Sequence, residues 1–230
     1  MLKDFGQIEN NIGYHFKNKT HLKTALTHSS YSNEKMCGDH ESYERYEFLG
    51  DAILEYLVSE YLFNNYTDLN EGKLTKLRAS LVCEYTLSKI SRQLELGKYA
   101  LFSKGEKNTG GSNRDSILCD MFESLLGAIY LDGGIEEARR FVEVFLLTDI
   151  EHKQKFYDAK SGLQEYSQKT GKKLLYIEVR TEGPEHEKTF YVQAMLDDEV
   201  VGSGVGHSKK NAEQEAAYDA LEKLEQIGWE

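Results

Sequence analysis

Segment 41–60 constrains the fold of this chain most, because it sets carboxylates into a strongly apolar pattern. Glu44, Glu47 and Asp51 lie three and four residues apart, so a helix places them on one side. Like charges at this spacing destabilise an isolated helix, and Gly50 costs about 1 kcal/mol relative to alanine. We infer that a bound cation offsets the charges and that another backbone approaches Gly50 closely. The apolar stripe, which we expect to face a core, comprises Phe48, Leu49, Ala52, Ile53, Tyr56 and Leu57.

A second apolar segment, 118–134, repeats this arrangement. Asp120 and Glu123 lie one helical turn apart within it, and Gly127 follows closely. Any one of these acids, taken singly, fits the solvated face of an amphipathic helix. Two acids on each of two apolar helices instead predict a four-carboxylate, oxygen-only cluster, and such hard ligands select Mg²⁺ or Mn²⁺. The apolar positions that predict the helix are Leu118, Met121, Phe122, Leu125, Leu126 and Ile129.

These two segments resemble a known family. Glu44-Arg-Tyr-Glu-Phe-Leu-Gly-Asp51 is similar to the signature of the ribonuclease III endonuclease domain, and 120–132 resembles that family's second acidic helix. Tyr43 and Tyr46 stand where the family usually has Asn and an aliphatic residue, and we expect neither change to touch a metal ligand. By position, the resemblance implies that the metal ligands and catalytic residues are Glu47, Asp51, Asp120 and Glu123.

From residue 1 to about 150, the pattern is helix after helix without strand-like alternation, which predicts an all-α domain. The resemblance implies that Glu44 and Glu71 lie close to the RNA. The turn at His28 resembles a family turn near the RNA, although a locally capped polar turn also explains it. Arg114 could reach a phosphate or form an ion pair at a helix start. The expected helices are 5–12, 19–27, 42–66, 71–94, 112–131 and 135–147.

Beyond a short polar segment, 151–157, which we expect to be a linker, the periodicity changes. A helix at 158–168 precedes three alternating runs and an alanine-rich helix at 208–221. This αβββα order resembles a double-stranded-RNA-binding domain over 158–230. We therefore expect a multidomain chain, in which an all-α ribonuclease III endonuclease domain at 1–150 is followed by an α+β RNA-binding domain. The alternating runs, expected to form an antiparallel meander, are 174–181, 189–196 and 200–205.

Ser208, Lys209 and Lys210 open the last helix, where free N–H groups, the helix dipole and two ammonium groups favour a phosphate. Such a domain reads the shape of about 16 base pairs of A-form duplex. Because 158–230 holds nine Lys and Arg against fifteen Asp and Glu, we expect weak, steeply salt-dependent binding by this domain alone. The groove-contacting residues implied by the resemblance are Ser161, Gln164, Glu165 and Gln168 on the first helix and His186 in the loop between strands 1 and 2.

The overall composition restricts the binding partners and the cellular compartment that we expect for this protein. A net charge of −11 argues against nucleic acid unless cations cluster locally on one face. Three distant cysteines without CxxC spacing support neither a disulfide framework nor a zinc site. Because no apolar leader is apparent and no apolar run approaches the ~20 residues of a membrane span, we expect a cytoplasmic protein with no membrane partner. We expect no organic cofactor.

Together these features predict a Mg²⁺-dependent endonuclease for double-stranded RNA, with Mn²⁺ able to substitute. The resemblance implies 5′-phosphate and 3′-hydroxyl ends, short 3′ overhangs, processing of ribosomal, messenger and structured RNAs, and a homodimer. Phe48 and Gly50 are the expected dimer contacts, with a core position the alternative for Phe48.

Two other functional classes fit the sequence less well. A silent RNA-binding relative is disfavoured because a non-catalytic scaffold gains nothing from clustered carboxylates and would be more stable with some of them replaced. A di-iron bundle would need Glu-x-x-His on two helices, and none of the seven histidines has Glu three residues before it.

Overall fold

The apolar helix predicted at 112–131 forms the centre of the first of two compact units, 1–148 and 149–230. The computed structural model describes residues 5–35, 42–184 and 188–226. The central helix is 19 residues long, and more than half of them are buried. Ser124 in its middle donates its hydroxyl to the carbonyl of Ala25 at 2.8 Å, so its buried polar group is satisfied. Each fully buried Leu, Ile, Phe or Met stabilises the fold by about 1.5–3 kcal/mol, so this helix supplies the main apolar core.

The regular elements described in the first unit are all helices, so this unit is all-α, as predicted. The bounds are α1 (Phe5–Ile12), α2 (Lys19–Ala25), α3 (Ser29–Glu34), α4 (Glu44–Asn65), α5 (Glu71–Val82), α6 (Glu84–Gln93), α7 (Leu96–Tyr99), α8 (Lys104–Asn108), a 3₁₀ turn (Gly111–Asn113), α9 (Asp115–Gly133) and α10 (Ile135–Phe145). Helices α2, α4, α6 and α10 pack directly against the central helix, α9. In the described ranges of the whole chain, no helix combines the length and apolarity needed to cross a bilayer.

The prediction of a single helix at 71–94 is wrong, because the helix is interrupted at Cys83. Cys83 has an extended backbone (φ −72°, ψ 154°) and separates α5 from α6. The Thr86 hydroxyl donates to the carbonyl of Ser80 at 2.8 Å, so the end of α5 is satisfied by a side chain. The short helices α3, α7 and α8, of four to six residues, were also not predicted, since such segments are too short for a period to be visible.

Helices α4 and α9 cross at two glycines, Gly50 and Gly127. A Cβ atom on Gly50 would lie 1.8 Å from the carbonyl oxygen of Glu123, and one on Gly127 would lie 2.4 Å from that of Tyr46. Real Cβ atoms do not approach other atoms so closely, so only glycine permits this crossing. The close backbone approach inferred from Gly50 in the sequence is therefore confirmed.

The apolar stripe of α4 was predicted to face the core, and this is only partly correct. Ile53 and Leu57 are buried, whereas Phe48 is 82% exposed and Tyr56 is 52% exposed. The helix turns the face containing Gly50 toward α9, which leaves Phe48 and Tyr56 on an outer edge. A core position for Phe48 is thereby excluded within this unit. The other buried residues of α4 are Leu54, Val58 and Leu62.

The second unit has the predicted αβββα order. Its strands form an antiparallel sheet in the order β1-β2-β3, with Leu174 opposite Leu196 and Phe190 opposite Gly206. A Cβ on Gly204 would lie 2.2 Å from the carbonyl oxygen of Ala212, so the last helix rests directly on β3. The bounds are α11 (Ile150–Thr170), β1 (Leu174–Glu182), β2 (Thr189–Leu196), β3 (Glu199–Gly206) and α12 (Lys209–Gln226).

The linker expected at 151–157 is instead the first two turns of α11. Phe156 in this segment is buried, and its ring packs against that of Tyr218 at 5.6 Å between centroids. The side-chain amide of Gln214 donates to the carbonyl of Tyr157 at 3.0 Å. The segment is polar because most of its surface is solvated, but its buried Phe156 packs it against α12.

Gly50→Ala should lower the unfolding free energy of the protein by about 1–3 kcal/mol or more, because the new methyl group would overlap the backbone of α9. Urea unfolding followed by circular dichroism measures this change. Gly72→Ala is the matched control, since its Cβ would meet Asn70 Oδ1 at an ordinary 3.6 Å in α5. The control should be neutral or more stable by up to about 1 kcal/mol, and an equal loss in both variants would contradict the crossing.

Candidate metal centre

Three of the four predicted ligands converge beside the crossing of α4 and α9. Oxygen atoms of Glu47, Asp120 and Glu123 lie within 4.8 Å of one another, and all three side chains are half-buried. Glu47 comes from α4, and Asp120 and Glu123 come from consecutive turns of α9. The structure therefore brings together acids that are more than 70 residues apart in the chain.

The two glycines explain why these carboxylates meet. Glu47 precedes Gly50 by three residues, and Glu123 precedes Gly127 by four, so each acid lies one turn from the contact. The carbonyl oxygen that faces Gly50 belongs to Glu123 itself. The helix backbones thus fix the separation of the acids.

Asp51 lies at the edge of this group. It is exposed, and it is not among the acids whose oxygens lie within 4.8 Å of one another. Its charge nevertheless acts on the centre, because among the neighbouring charges it contributes most to raising the pKa of Glu123. The structure therefore places three acids together and the fourth within electrostatic range.

Burial and mutual repulsion raise the pKa values of the clustered acids. The pKa of Glu47 is raised to about 7, first by burial and then by Asp120 and other carboxylates. The pKa of Glu123 is raised to about 8, again first by burial and then by Asp51 and Glu47. The pKa of Asp120 is also raised by burial, although a hydrogen bond from Tyr43 opposes the shift.

The donor set fits a hard divalent cation. All three side chains offer only carboxylate oxygens, and such oxygens are the protein ligands that Mg²⁺ and Mn²⁺ prefer. A cation here would favour the ionised forms that burial disfavours. Glu47, Asp120 and Glu123 are the residues that would hold it.

Tyr43 contacts this centre, which sequence reasoning did not predict. We expected the Tyr43 substitution not to touch a metal ligand, and this was wrong: its hydroxyl donates to Asp120 Oδ2 at 3.0 Å. Burial and the Asp120 charge raise the pKa of Tyr43 well above its usual range, so the phenol remains a neutral donor. The partners are 77 residues apart, so no local spacing could have revealed the contact.

A second contact could have been recognised from spacing. Cys119 lies four residues before Glu123 on α9, and its thiol donates weakly to Glu123 Oε1 at 4.0 Å. Burial raises the pKa of this thiol well above its usual range.

The other predicted residues of the first unit lie outside the cluster. Glu44 and Glu71 are exposed at the starts of α4 and α5. Arg114 pairs with Glu106 at 2.9 Å, which is the ion-pair alternative. His28 caps α3 by accepting from the N–H of Ser30 at 3.1 Å, and burial lowers its pKa. Gly50 was expected at a dimer contact, but it is buried inside the unit because α9 covers it.

The groove-contacting residues predicted for the second unit share one exposed face of α11. They recur at three- and four-residue spacing, opposite Leu163 and Ser167, which are buried. This face of α11 is therefore not part of the core of the second unit. His186 lies outside the described residues. The four exposed residues are Ser161, Gln164, Glu165 and Gln168.

The N-terminus of α12 has the predicted cap. Ser208 Oγ accepts from the N–H of Asn211 at 3.1 Å, and Lys209 and Lys210 are exposed in the first turn. Lys209 Nζ forms an ion pair with Glu178 Oε2 at 2.7 Å, so part of its charge is engaged within the domain. The negative charge of this domain thus acts directly on a predicted phosphate contact.

Comparison with known families divides the chain as its fold does. The Ribonuclease-III-like family matches residues 18–150, and the double-stranded RNA binding motif matches residues 159–224. These ranges include the carboxylate cluster and the α11 and α12 surfaces, respectively.

Relatives match along nearly the whole chain. A protein named Ribonuclease 3 from Clostridium perfringens is 46% identical over 228 residues, covering 97% of this chain and 95% of its own length. One of the same name from Caldanaerobacter subterraneus is 47% identical over 224 residues, covering 94% and 96%. The solved nuclease domain of ribonuclease III from Campylobacter jejuni is 41% identical with a TM-score of 0.58, covering 62% of this chain and 95% of its own. That Campylobacter jejuni domain shows structural flexibility in a region involved in dimer formation.

Without divalent ions, the protein should become less stable as pH rises from about 5 to about 8. Unfolded Glu ionises near 4.5, whereas folded Glu47 and Glu123 hold protons to about 7 and about 8. Because the folded state binds more protons in this window, its unfolding free energy falls there as pH rises. The Tm should drop by about 2–4 °C for each kcal/mol lost.

Thermal unfolding in EDTA across this pH range measures the effect, and saturating Mg²⁺ should remove most of it. A variant with Glu47→Gln and Glu123→Gln should show a flatter profile. An unchanged pH slope in that variant would show that these acids do not cause it.

Proposed function

The chain belongs to the ribonuclease III family of endoribonucleases, and on that premise we propose that it cleaves double-stranded RNA in a Mg²⁺-dependent reaction. The products would carry 5′-phosphate and 3′-hydroxyl ends with short 3′ overhangs. Mn²⁺ would substitute for Mg²⁺. The observation that carries this proposal is the convergence of Glu47, Asp120 and Glu123 on the two helices that bear the family's acidic motifs.

The chain's own residues would hold and orient the reacting groups. When bound, a divalent ion lowers the pKa of water and stabilises the attacking and departing oxygens of an in-line displacement. Glu47, Asp120 and Glu123 would hold that ion, while Asp51 adds negative charge at the edge. Burial raises the pKa of the neighbouring Cys119 thiol, so this thiol does not add a further negative charge to the cluster at neutral pH.

The second unit would bind the duplex through two surfaces. The exposed polar face of α11 offers amide, hydroxyl and carboxylate groups suited to the 2′-hydroxyls of a minor groove. The first turn of α12 offers Lys210 and, after release from Glu178, Lys209 to phosphates. The ion pair between Lys160 Nζ and Glu213 Oε2, at 2.6 Å, ties α11 to α12 between these surfaces.

We propose that the active form is a homodimer built around Phe48. Its ring is 82% exposed on α4, and it borders a cavity of about 880 Å³ on the same surface. In a two-fold dimer the same patch occurs on both subunits, so a projecting ring beside a cavity can be reciprocally complementary. Residues lining this cavity include Thr20, Tyr31, Leu49 and Leu131.

Glu123→Gln should separate cleavage from binding. Removing one charged ligand should slow cleavage of a long RNA duplex at least about 100-fold, since metal charge stabilises the transition state by several kcal/mol. Duplex binding, measured by gel shift, should stay within a few-fold of the unmodified protein.

The opposite pattern is expected for Lys209→Ala combined with Lys210→Ala. That variant should bind more weakly, and the slope of log K against log salt should flatten by about 1 for each lost phosphate contact. Equal loss of binding in the Glu123 and lysine variants would refute this division of roles.

Phe48→Glu should convert the dimer into monomers, because it places a charge at the centre of the proposed interface. Size-exclusion chromatography with light scattering measures the mass. Phe63→Glu is the matched control, since Phe63 is 73% exposed on the same helix. Dimers that persist in the Phe48 variant, or monomers in both variants, would count against this interface.

A further inference from the structure

Tyr43 is held rigidly beside the carboxylate cluster. It is only 4% exposed, and its N–H donates to the carbonyl of Thr27 at 2.8 Å. Its own carbonyl accepts from the N–H groups of Tyr46 and Glu47, at 2.8 and 2.9 Å, at the start of α4. The backbone of Tyr43 is therefore fixed by a neighbouring loop on one side and by the first turn of α4 on the other.

The side chain of Tyr43 is constrained as firmly as its backbone. Its ring packs against His28, with 5.5 Å between ring centroids. His28 is itself anchored, because its N–H donates to the carbonyl of Leu101 at 3.0 Å. The hydroxyl at the end of this buried ring donates to Asp120 Oδ2 at 3.0 Å.

A fixed donor of this kind restricts the orientation of the carboxylate that it contacts. The terminal torsion of an aspartate side chain is broad, so a carboxylate without a fixed partner can rotate. A hydrogen bond from outside the metal site holds such a ligand in one orientation, and losing it commonly weakens metal affinity by about 10–100-fold. Asp120 is the clustered acid to which Tyr43 donates.

We propose that Tyr43 is a positioning residue for the metal centre, whose hydroxyl orients Asp120 so that it can share a divalent cation with Glu47 and Glu123. This inference rests on the proposed metal-dependent function. It also concerns a position at which this chain departs from the usual family residue, Asn. In this role Tyr43 acts through Asp120, to which its hydroxyl donates.

If Tyr43 only stabilised the fold, its loss would lower stability without affecting metal binding. A matched contact elsewhere in the chain distinguishes these two roles. Tyr14, also buried, donates its hydroxyl to Asp132 Oδ2 at 2.7 Å, and Asp132 lies on the same helix α9. Tyr43→Phe and Tyr14→Phe each remove one phenol-to-carboxylate hydrogen bond and keep the ring. Both should lower the Tm by similar amounts.

Metal binding by the RNA-free protein provides the test. Free Mn²⁺, measured by electron paramagnetic resonance during titration, should give a dissociation constant about tenfold higher for Tyr43→Phe and unchanged for Tyr14→Phe. The Mg²⁺ concentration for half-maximal cleavage should rise by a similar factor in the Tyr43 variant alone. Replacement of Tyr43 by 4-aminophenylalanine, which keeps a donor at the ring end, should restore most of the affinity.

The outcomes separate this inference from the proposed function. Wild-type Mn²⁺ affinity in a folded Tyr43→Phe variant, or equal weakening in both phenylalanine variants, would overturn the positioning role alone. Failure of the 4-aminophenylalanine variant to recover affinity would also overturn it. Absence of Mn²⁺ binding by the unmodified protein would overturn the metal centre and this inference together.

Discussion

The backbone contact between Gly50 and Gly127 is the constraint on which the site depends. With any side chain at Gly50, α4 would meet the Glu123 carbonyl at 1.8 Å, so the helices would have to separate. The acids one turn away would then move apart. A glycine that weakens an isolated helix thus makes possible a cluster that neither helix could form alone. The apolar core around α9 supplies the stability that this arrangement requires.

The electrostatic cost of clustering half-buried carboxylates connects the site to its proposed function. Three half-buried carboxylates within 4.8 Å of one another repel, and this repulsion, added to burial, raises the pKa values of Glu47 and Glu123. The same repulsion would favour binding of a cation, so the expected instability without metal and the proposed affinity for metal have one origin. In the second unit an acid acts differently, since Glu178 forms an ion pair with Lys209, which we propose as a phosphate contact.

Sequence patterns predicted what depends on local periodicity. The spacing of apolar residues revealed the long helices and the three strands, and the cost of glycine in a helix revealed the close crossing at Gly50. The cluster was predicted from acids embedded in apolar turns, together with the family resemblance. Periodicity cannot specify how a helix is rotated in a fold, so the exposure of Tyr56, which was expected to face the core, was missed.

Contacts between distant segments were also beyond prediction. The hydrogen bond from Tyr43 to Asp120 joins residues 77 apart. Phe156 lies in the segment that we expected to be a linker, and its ring packs against the distant Tyr218. We propose that the α4 and α9 carboxylates make this chain a metal-dependent nuclease for duplex RNA. The most direct measurement is incubation with a long perfect RNA duplex in Mg²⁺ and in EDTA, reading product ends and sizes. Cleavage only with Mg²⁺, giving 5′-phosphate fragments with short 3′ overhangs, is the predicted result. RNA that is bound yet intact in both conditions would contradict it.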